Sequence, residues 1–514
     1  MKTLPLYSFG FLALSLLLSP LPKDLTADQD WPMWLRDSRG GPLETERQLQ
    51  DPGIRPENRI WVSEDYIPPA RASDGRRAAT NLDRPGSGGH ASPILANGHI
   101  YHYHYRPSGS VFDSVVLERR LEMTQEEAAR EAEKFPRSGN LLFGHNRWLV
   151  EATDILTAID ARTGETVWQK ELGHQGLNYN LFNKSGGGPS PAYHQGKVFV
   201  MGTGGQVWAV EADSGEIAWR GHIGQRARQN QQYRQRAVEM GRGPRFREDL
   251  LSGFVAAGGV AIVSNHLFHR VEQGEGTDYH YDILSGYVAF DTESGEVLWE
   301  TSDIGFHRYP VIWENQGEYF LLTDHLFQVS LRNLRTGEPL WEVDFGHRHR
   351  FGPTVSEEYA LINRSVSRED GSQLSGFRIS QEGLEHLWSW DRNEDLVGNA
   401  LIIGEYGYGI IGQEVRCFDM ESGEVIASAH IGSIDSSDGN ALLLTYGGWL
   451  ITVGESNGQG WNFIDPNPEK MAESVRFFPH EFEKGYDVSI MPAIGYGHFF
   501  VRTETNIEAY RLDP

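Results

Sequence analysis

One short motif recurs along this chain and constrains its fold more than any other feature. In its commonest form the motif reads Asp-x-x-(Ser/Thr)-Gly-Glu-x-x-Trp, and apolar and polar residues alternate on either side of it. Full copies end at Trp168, Trp219, Trp299 and Trp341, a copy without the tryptophan spans 415–426, degenerate copies span 376–388 and 461–475, and a half-copy spans 507–513. Such self-similarity is typical of repeat architectures, in which each copy builds one structural unit.

Each copy predicts a two-stranded hairpin, because apolar–polar alternation is the period of a half-buried strand. The glycine accepts the positive backbone angle of a tight turn, and the tryptophan offers a large apolar surface to the next unit. A second alternating pattern precedes each copy, as at 189–200 before the copy that ends at Trp219. Two hairpins make a four-stranded unit of about 45 residues, which is the period of a β-propeller blade.

The predicted fold class is therefore all-β, an eight-bladed β-propeller. A seven-bladed ring is the rival, because two copies of the motif are degenerate. The blades are expected near 90–171, 187–221, 251–302, 309–344, 352–391, 399–429, 440–477 and 490–513. The last unit contains only three strands, and Asn58–Glu64 is predicted to supply the fourth. A blade shared by both ends of the chain closes the ring and removes an exposed sheet edge.

Charge and cysteine content exclude several classes of protein. The 514 residues carry a formal net charge of -25, whereas nucleic-acid binders need a basic footprint. Cys417 is the only cysteine, so the chain has no intrachain disulfide and no cysteine-based zinc site. A closed ring of repeats predicts one domain over 31–514, although the length alone would suggest several.

The N-terminus predicts export. Lys2 is followed by a nearly continuous apolar run from Leu4 to Leu18, which is shorter than a membrane span and typical of a signal peptide. We expect a signal peptide over about residues 1–30 and a periplasmic or secreted mature protein without a membrane span; a buried N-terminal helix is the alternative. No cysteine near this region offers a site for a lipid anchor.

The repeats resemble those of the PQQ-type, or quinoprotein-like, β-propeller family. The opening segment 31–40, Trp-Pro-Met-Trp-Leu-Arg-Asp-Ser-Arg-Gly, resembles the segment that introduces exported bacterial members of the outer-membrane-assembly-factor-like group. The resemblance extends over about residues 31–513 and implies the propeller fold. It does not select a function, because the family contains PQQ dehydrogenases, non-enzymatic scaffold lipoproteins and many uncharacterised exported proteins.

Blade topology divides the loops between two faces. The turns between strands one and two and between strands three and four are short throughout and define one face, the short-loop face. The opposite, long-loop face receives three insertions, about 106–151, 222–249 and 265–282, which we expect to be helical in part. Functional residues of propellers are expected on long loops over a rigid scaffold, so the long-loop face is the predicted working face.

The loops that enter each blade on this face supply the candidate site residues. We predict an acid–base set of His307, Tyr309, His347 and His349, because histidine and tyrosine shuttle protons at a suitable pKa. The predicted ligand-binding residues are His90, Lys184, Arg308, Arg348, Arg350, Asn399 and Asn440. A solvated loop is an equal alternative for the histidines and arginines of 347–350, since they would repel one another if all were charged.

Two further histidine patterns have a structural explanation as an alternative to a functional site. Tyr101–Tyr105 alternates tyrosine with histidine, which is typical of a strand with an aromatic and a polar face. His266 and His269 would share one face of a helix and could then bind a metal, but no third ligand is identifiable. We therefore predict no metal site.

The insertion at 225–247 is locally basic, with seven arginines against Glu239. It is either a solvated, partly helical flap or a lid over an acidic ligand. In the second case, the basic face would bind an anion despite the acidity of the whole chain.

Four functions remain open. The first is an exported propeller that binds an acidic saccharide or a protein partner on the long-loop face. The second is a polysaccharide lyase at the same mouth, in which an arginine would neutralise a uronate carboxylate while a histidine or tyrosine removes the adjacent proton. The family resemblance adds a PQQ-dependent dehydrogenase and an outer-membrane assembly scaffold. PQQ and Ca²⁺ are not favoured as cofactors, because Cys417 cannot form the adjacent cysteine pair of the alcohol-oxidising members.

Overall fold

The strands of this protein form eight antiparallel sheets that follow one another around a ring. The computed structural model describes residues 30–33, 48–68, 89, 91–111, 149–181, 184–185, 190–202, 206–223, 245–247, 253–272, 279–301, 310–325, 328–345, 352–367, 371–390, 396–432, 442–454, 460–479, 491–503 and 505–513. The eight sheets confirm the eight-bladed prediction and exclude the seven-bladed rival.

The strands are numbered in chain order, and within each blade they run from the innermost strand outward. Blade 1 comprises β2 Ile94–Ala96, β3 His99–Val111, β4 Leu149–Asp160, β5 Thr166–Leu181 and the short β6 Lys184–Ser185. Blade 2 comprises β7 Ala192–His194, β8 Lys197–Met201, β9 Gln206–Glu211 and β10 Ile217–His222. Blade 3 comprises β12 Val255–Ala257, β13 Val260–Glu272, β14 Tyr279–Asp291 and β15 Val297–Glu300, with β11 Arg245–Arg247 paired along β13, and blade 4 comprises β16 Val311–Asn315, β17 Glu318–His325, β18 Gln328–Asn333 and β19 Pro339–Asp344.

Blade 5 comprises β20 Thr354–Val355, β21 Tyr359–Ser367, β22 Gly371–Ile379 and β23 Leu384–Ser389. Blade 6 comprises β24 Leu396–Ile403, β25 Tyr406–Ile411, β26 Glu414–Asp419 and β27 Val425–His430, and blade 7 comprises β28 Leu442–Tyr446, β29 Trp449–Gly454, β30 Gly460–Ile464 and β31 Arg476–Pro479. Blade 8 comprises β32 Ala493–Gly495, β33 His498–Arg502, β34 Ile507–Arg511 and β1 Arg59–Val62. The first strands of successive blades contact one another from β2 through β7, β12, β16, β20 and β24 to β28, and β32 contacts β2. These first strands therefore surround the central axis.

The ring closes as the sequence predicts, through a blade shared by both ends of the chain. Strand β1 pairs antiparallel with β34, so Arg59–Val62 forms the outer strand of blade 8. Blade 8 therefore needs strands from both ends of the chain, and its formation closes the ring.

The acidic turn of the motif has a local explanation. In blade 1 the carboxylate of Asp160 accepts hydrogen bonds from the N–H groups of Arg162 and Thr163, at 2.8 and 2.9 Å. The Thr163 hydroxyl then accepts from the N–H of Glu165 at 3.2 Å. In the corresponding turn of blade 3, the backbone N–H of Ser294 is the largest of the causes that lower the pKa of Asp291. The Asp and the Ser/Thr of the motif thus accept hydrogen bonds from the backbone N–H groups of their own turn.

The glycine and the tryptophan of the motif connect neighbouring blades. The indole Nε1 of Trp168 donates to the carbonyl of Ala212 in the turn of blade 2 at 2.9 Å. Its ring lies over Gly215, which has a φ of +71°, and a Cβ there would come within 2.8 Å of the ring. The same indole-to-carbonyl bond joins further blades, in the pairs Trp61–Ala161, Trp219–Thr292, Trp299–Leu334, Trp341–Ser380 and Trp388–Met420.

Blade 6, whose motif copy lacks the tryptophan, is joined to blade 7 differently. The hydroxyl of Tyr408 donates to the carbonyl of Pro466 at 2.8 Å. Burial raises the pKa of this phenol well above its usual value. Tyr408 comes from the second strand of blade 6 rather than the fourth, so the missing residue is replaced from elsewhere in the blade.

A short N-terminal segment lies inside the ring. Trp31 and Leu95 exchange both backbone hydrogen bonds, at 2.8 and 2.9 Å, and Tyr193 N–H donates to Pro32 at 2.7 Å. Leu95 and Tyr193 belong to innermost strands whose other edges pair within their own blades. The Asp30 carboxylate accepts from Tyr496 and from Asn97, both in short-loop turns. Residues 30–33 therefore occupy the short-loop end of the central channel.

Two of the predicted insertions contain extended hairpins. Strands β3, β4 and β5 continue past blade 1, and β13 and β14 continue past blade 3. The expected helical character is wrong for the described part of the insertion at 265–282, because residues 265–272 and 279–282 are strands that pair with each other. Alternate residues of a strand lie on opposite faces, so His266 and His269 do not form a helical metal pair. The segments 112–148 and 224–244 lie outside the described residues.

Candidate functional site

The predicted site residues fall where the chain enters a blade on the long-loop side. His307, Arg308 and Tyr309 come just before β16, and His347, Arg348, His349 and Arg350 just before β20. Those seven residues, together with His90 and Asn440, lie outside the described residues. Lys184 is in β6, where its backbone pairs with Leu181. Whether these residues converge stays a prediction.

Asn399 is the predicted ligand residue whose side chain the structure describes. Its amide donates to the carbonyl of Leu443 and accepts from the Leu443 N–H, both at 2.8 Å. The amide thus joins the innermost strands of blades 6 and 7 at the long-loop side. This contact assigns Asn399 a structural role, and its role toward a ligand stays a prediction.

A buried arginine stands at the seam between blades 8 and 1. The guanidinium of Arg502 donates from Nη1 to Gly89 O at 2.6 Å and to Ala91 O at 3.3 Å. Its Nη2 donates to Pro68 O at 2.7 Å. The Pro68 carbonyl precedes the segment 69–88, and the Gly89 carbonyl follows it. Gly89 and Ala91 lie on either side of His90. Arg502 therefore holds the chain where it crosses from the outer strand of blade 8 to the inner strand of blade 1.

Two histidines pack beside this arginine. The rings of His102 and His104 stack with centroids 5.7 Å apart, and both side chains are buried. Burial, and then the charge of Arg502, holds the pKa of His102 far below its usual value and lowers that of His104 to about 3. Both imidazoles are therefore neutral. Among the described residues neither ring nitrogen of His102 has a hydrogen-bond partner.

The alternation in Tyr101–Tyr105 is confirmed as a strand with two different faces. Tyr101 and Tyr103 pack in the core shared with blade 2, where the Tyr103 hydroxyl donates to Asp154 at 2.7 Å. His102 and His104 occupy the opposite face, toward Arg502. Arg502 was missed at the sequence level, since a single arginine at the end of an apolar strand carries no repeat or spacing signal.

Buried polar groups recur near the long-loop ends of second strands. Ser264 in blade 3, Asn363 in blade 5 and Thr452 in blade 7 are each almost fully buried. Within the described part of the chain, the Ser264 hydroxyl, the Asn363 amide and the Thr452 hydroxyl have no hydrogen-bond partner. Buried polar groups are costly unless water or another partner satisfies them.

The basic insertion and the blade 3 hairpin come together in one ribbon. Strand β11 pairs antiparallel with β13, with Arg245 opposite Phe268 and Arg247 opposite His266. The sequence places these segments in separate insertions. Only the fold brings the last arginines of one insertion alongside the histidines of the other.

Cys417 is buried in the third strand of blade 6, and burial raises the pKa of its thiol to about 11. Over the described ranges no three His, Cys, Asp or Glu side chains are placed to hold a metal ion. None of the described helical segments has the length and hydropathy of a membrane span.

Comparisons with known proteins agree with the repeat signal. A PQQ-type repeat family, described as outer membrane protein assembly factor BamB, matches residues 152–302. The match runs from the last strands of blade 1 through blade 3 and confirms the PQQ-type resemblance there. No curated protein sequence matches the chain.

Several solved structures are similar. BamB from Moraxella catarrhalis is 15% identical, with a TM-score of 0.37, over 60% of this chain and 78% of that one. The computationally designed Ika8 protein is 10% identical, with a TM-score of 0.43, over 73% and 96%. A europium-containing methanol dehydrogenase is 9% identical, with a TM-score of 0.41, over 86% and 90%. At these values none of them bears on ligand or activity.

Proposed function

We propose that this protein is an exported quinoprotein-like β-propeller that binds an acidic saccharide on its long-loop face. The observation that carries the proposal is the difference between the two ends of the ring. At the short-loop end the turns are capped by their own Asp and Ser/Thr side chains, and residues 30–33 occupy the channel. The long-loop end is therefore the end that we propose for the ligand.

The distribution of charge supports an anionic ligand. The motif repeats acidic residues at the short-loop end, such as Asp160 and Glu165, and so contributes to the net charge of -25 there. The basic insertion at 225–247 belongs to the long-loop end, where its last three residues join blade 3. A locally basic surface on an acidic protein can still attract an anion, because the field near the surface depends on the nearest charges.

Isothermal titration of the protein with polygalacturonate and with alginate tests the proposal. We expect saturable binding to at least one, weakened by salt and absent for a neutral pectin of the same backbone whose carboxyls are methyl-esterified. Absence of binding to both polyuronates at low salt would overturn it.

The same samples separate the other functions. An absorbance rise from unsaturated products would identify a polysaccharide lyase, and loss of that activity in the variant His307→Ala/His349→Ala would locate it. Dye reduction after addition of PQQ and Ca²⁺ would identify a dehydrogenase. Either result would replace simple binding as the function.

A further inference from the structure

We propose that β27 (Val425–His430), the outer strand of blade 6, is a docking edge for an extended basic segment of a partner protein, which adds to the blade as a further strand. The order of strands in blade 6 ends at β27, so within the described part of the chain no strand pairs with its outer edge. This edge belongs to the outer rim of the ring and not to the central mouth proposed for the saccharide.

The sequence of β27 lacks the residues that protect the corresponding strands of the other blades. Exposed sheet edges are usually blocked by charged side chains or proline, because an open edge pairs readily with another chain. The corresponding strands of the other seven blades each contain at least one charged residue, namely Arg59, Lys170, Arg220, Glu300, Glu342, Glu385 and Arg476. β27 reads Val-Ile-Ala-Ser-Ala-His and contains neither a Lys, Arg, Asp or Glu nor a proline. Among the described outer strands, β27 is therefore the unprotected one.

The side chains of β27 also leave its backbone accessible. Val425 and Ile426 are 42% and 47% exposed. Ala427 stands where most copies of the motif have their tryptophan, and Ser428 and Ala429 are small as well. A strand that approaches from outside would meet small or apolar side chains, which favours pairing along the edge.

The register identifies the backbone groups that a partner would meet. The N–H of Ile431 donates to the carbonyl of Gln413 at 2.9 Å, one residue beyond the end of β27. The pairing of β27 with β26 continues in the same register, and hydrogen-bonded pairs alternate with non-hydrogen-bonded pairs along an antiparallel ladder. Ser428 and His430 therefore belong to non-hydrogen-bonded pairs. Their N–H and C=O groups point away from β26 and form the pairing edge.

The charge around this edge favours a basic occupant. Glu424 is exposed and directly precedes β27. Residues 396–432 of blade 6 contain one arginine, Arg416, against five carboxylates, which are Glu405, Glu414, Asp419, Glu421 and Glu424. Lysine or arginine side chains on an entering strand would be attracted to this field, because the nearest charges dominate at a protein surface.

The size of the edge favours a short segment over a second copy of this chain. The six residues of β27 span about 20 Å, enough for a peptide that binds by strand addition. Contact along this edge alone falls short of the roughly 1,200–2,000 Å² that specific protein–protein interfaces bury. Two copies would also repel each other, since each has a net charge of -25. The occupant is therefore an extended segment in which apolar and basic residues alternate.

A labelled octapeptide that alternates valine with lysine tests the edge, with fluorescence anisotropy as the measurement on the full-length protein. Ser428→Pro removes an outward N–H that β26 does not use, and edge strands accept proline at such positions. Val62→Pro is the matched control in the corresponding strand of blade 8. There the N–H of Ser63 donates to Ile507 at 2.8 Å, so the N–H of Val62 also points outward.

Glu424→Lys and Glu165→Lys form a second matched pair. Both reverse the charge of the exposed glutamate of the motif, the first beside β27 and the second in blade 1. Circular dichroism and thermal midpoints check the fold of every variant, and this pair provides the test if Ser428→Pro does not fold. Hydrogen exchange over residues 425–430, with and without the peptide, measures protection at the edge itself.

We expect saturable, salt-sensitive binding of the valine–lysine peptide and slower exchange over 425–430 when it is bound. The same peptide with glutamate in place of lysine should bind at least about tenfold more weakly. Ser428→Pro should weaken binding at least about tenfold and Glu424→Lys about fivefold, since the first removes a backbone donor and the second reverses a nearby charge. Val62→Pro and Glu165→Lys should stay within about twofold of the wild type.

Absence of saturable binding would overturn the docking edge, as would binding that Ser428→Pro and Val62→Pro change equally and that leaves exchange over 425–430 unaltered. Equal binding of the glutamate peptide would overturn the basic character of the occupant. A dimer in sedimentation without peptide, lost in Ser428→Pro and kept in Val62→Pro, would make a second copy the occupant and overturn the partner segment. None of these outcomes depends on the polyuronate titrations, so the edge and the proposed saccharide function fail separately.

Discussion

Arg502 donates a hydrogen bond of 2.6 Å to the carbonyl of Gly89, across the seam where the last blade meets the first. The two residues are 413 positions apart in the chain. The same guanidinium reaches Pro68 and Ala91, so one side chain holds both ends of the segment between blades 8 and 1. Arginine suits this task because its planar fork presents several donors in fixed directions.

Replacement of this arginine should destabilise the ring at its closure. Arg502→Met leaves buried carbonyls without a donor, each at a cost of about 1–3 kcal/mol and not additively. We expect the free energy of unfolding to fall by roughly 3 kcal/mol in urea titrations, and Arg502→Lys to recover only part of it.

Arg511→Met is the matched control, because Arg511 is exposed on the neighbouring strand of the same blade. Its effect should stay within about 0.5 kcal/mol. Equal stability of Arg502→Met and Arg511→Met would refute the role of Arg502 in closure.

The contact between tryptophan and glycine predicts that alanine substitution at two glycines of blade 4 lowers the free energy of unfolding by different amounts. Gly337 and Gly317 both have positive φ, +73° and +81°, but a Cβ at Gly337 would lie 2.5 Å from the ring of Trp299, whereas one at Gly317 would meet nothing within 4 Å. Gly317→Ala should therefore cost only about 1–2 kcal/mol for the left-handed backbone. Gly337→Ala should cost about 1–3 kcal/mol more, from overpacking against the indole.

Urea unfolding of these two variants measures the difference directly. The backbone strain is nearly the same in both, so the excess isolates the inter-blade contact. Indistinguishable values would mean that the Trp299 ring shifts freely and does not lock blade 3 to blade 4.

The buried histidines predict loss of stability in acid. Because the folded-state pKa of His104 is lowered to about 3 and that of His102 is also lowered, the unfolded chain takes up protons below pH about 6.5 while the folded protein does not. The stability they contribute is complete above that pH and is lost as the pH falls toward 3. Each histidine adds a slope of about 1.4 kcal/mol per pH unit in this range.

The variant His102→Phe/His104→Phe keeps two aromatic rings and removes the titration. Its difference from the wild type at about pH 8 gives the packing effect alone, and the slope between about pH 6 and pH 4 should be shallower by up to about 2.7 kcal/mol per unit. Parallel pH profiles of the two proteins would contradict neutral histidines at this seam.

Much of the scaffold was predictable because its signals are local. The Asp160 turn satisfies its own N–H groups within five residues, so the motif predicts the hairpin without knowledge of the rest of the chain. The assignment of β1 to the last blade followed from the missing fourth strand in that blade. At 265–282 the described segments pair with each other as strands, so the helix that a His266–His269 metal pair would need does not form there.

The sequence by itself determined the all-β class, the number of blades, the closure of the ring and the division into a short-loop and a long-loop face, because alternation and turn chemistry act over a few residues. Only the tertiary structure decided that Arg502 reaches Gly89, that Trp31 pairs with Leu95 inside the channel and that β11 lies along β13. These contacts join segments far apart in the chain and depend on the geometry of the closed ring, so no local pattern encodes them.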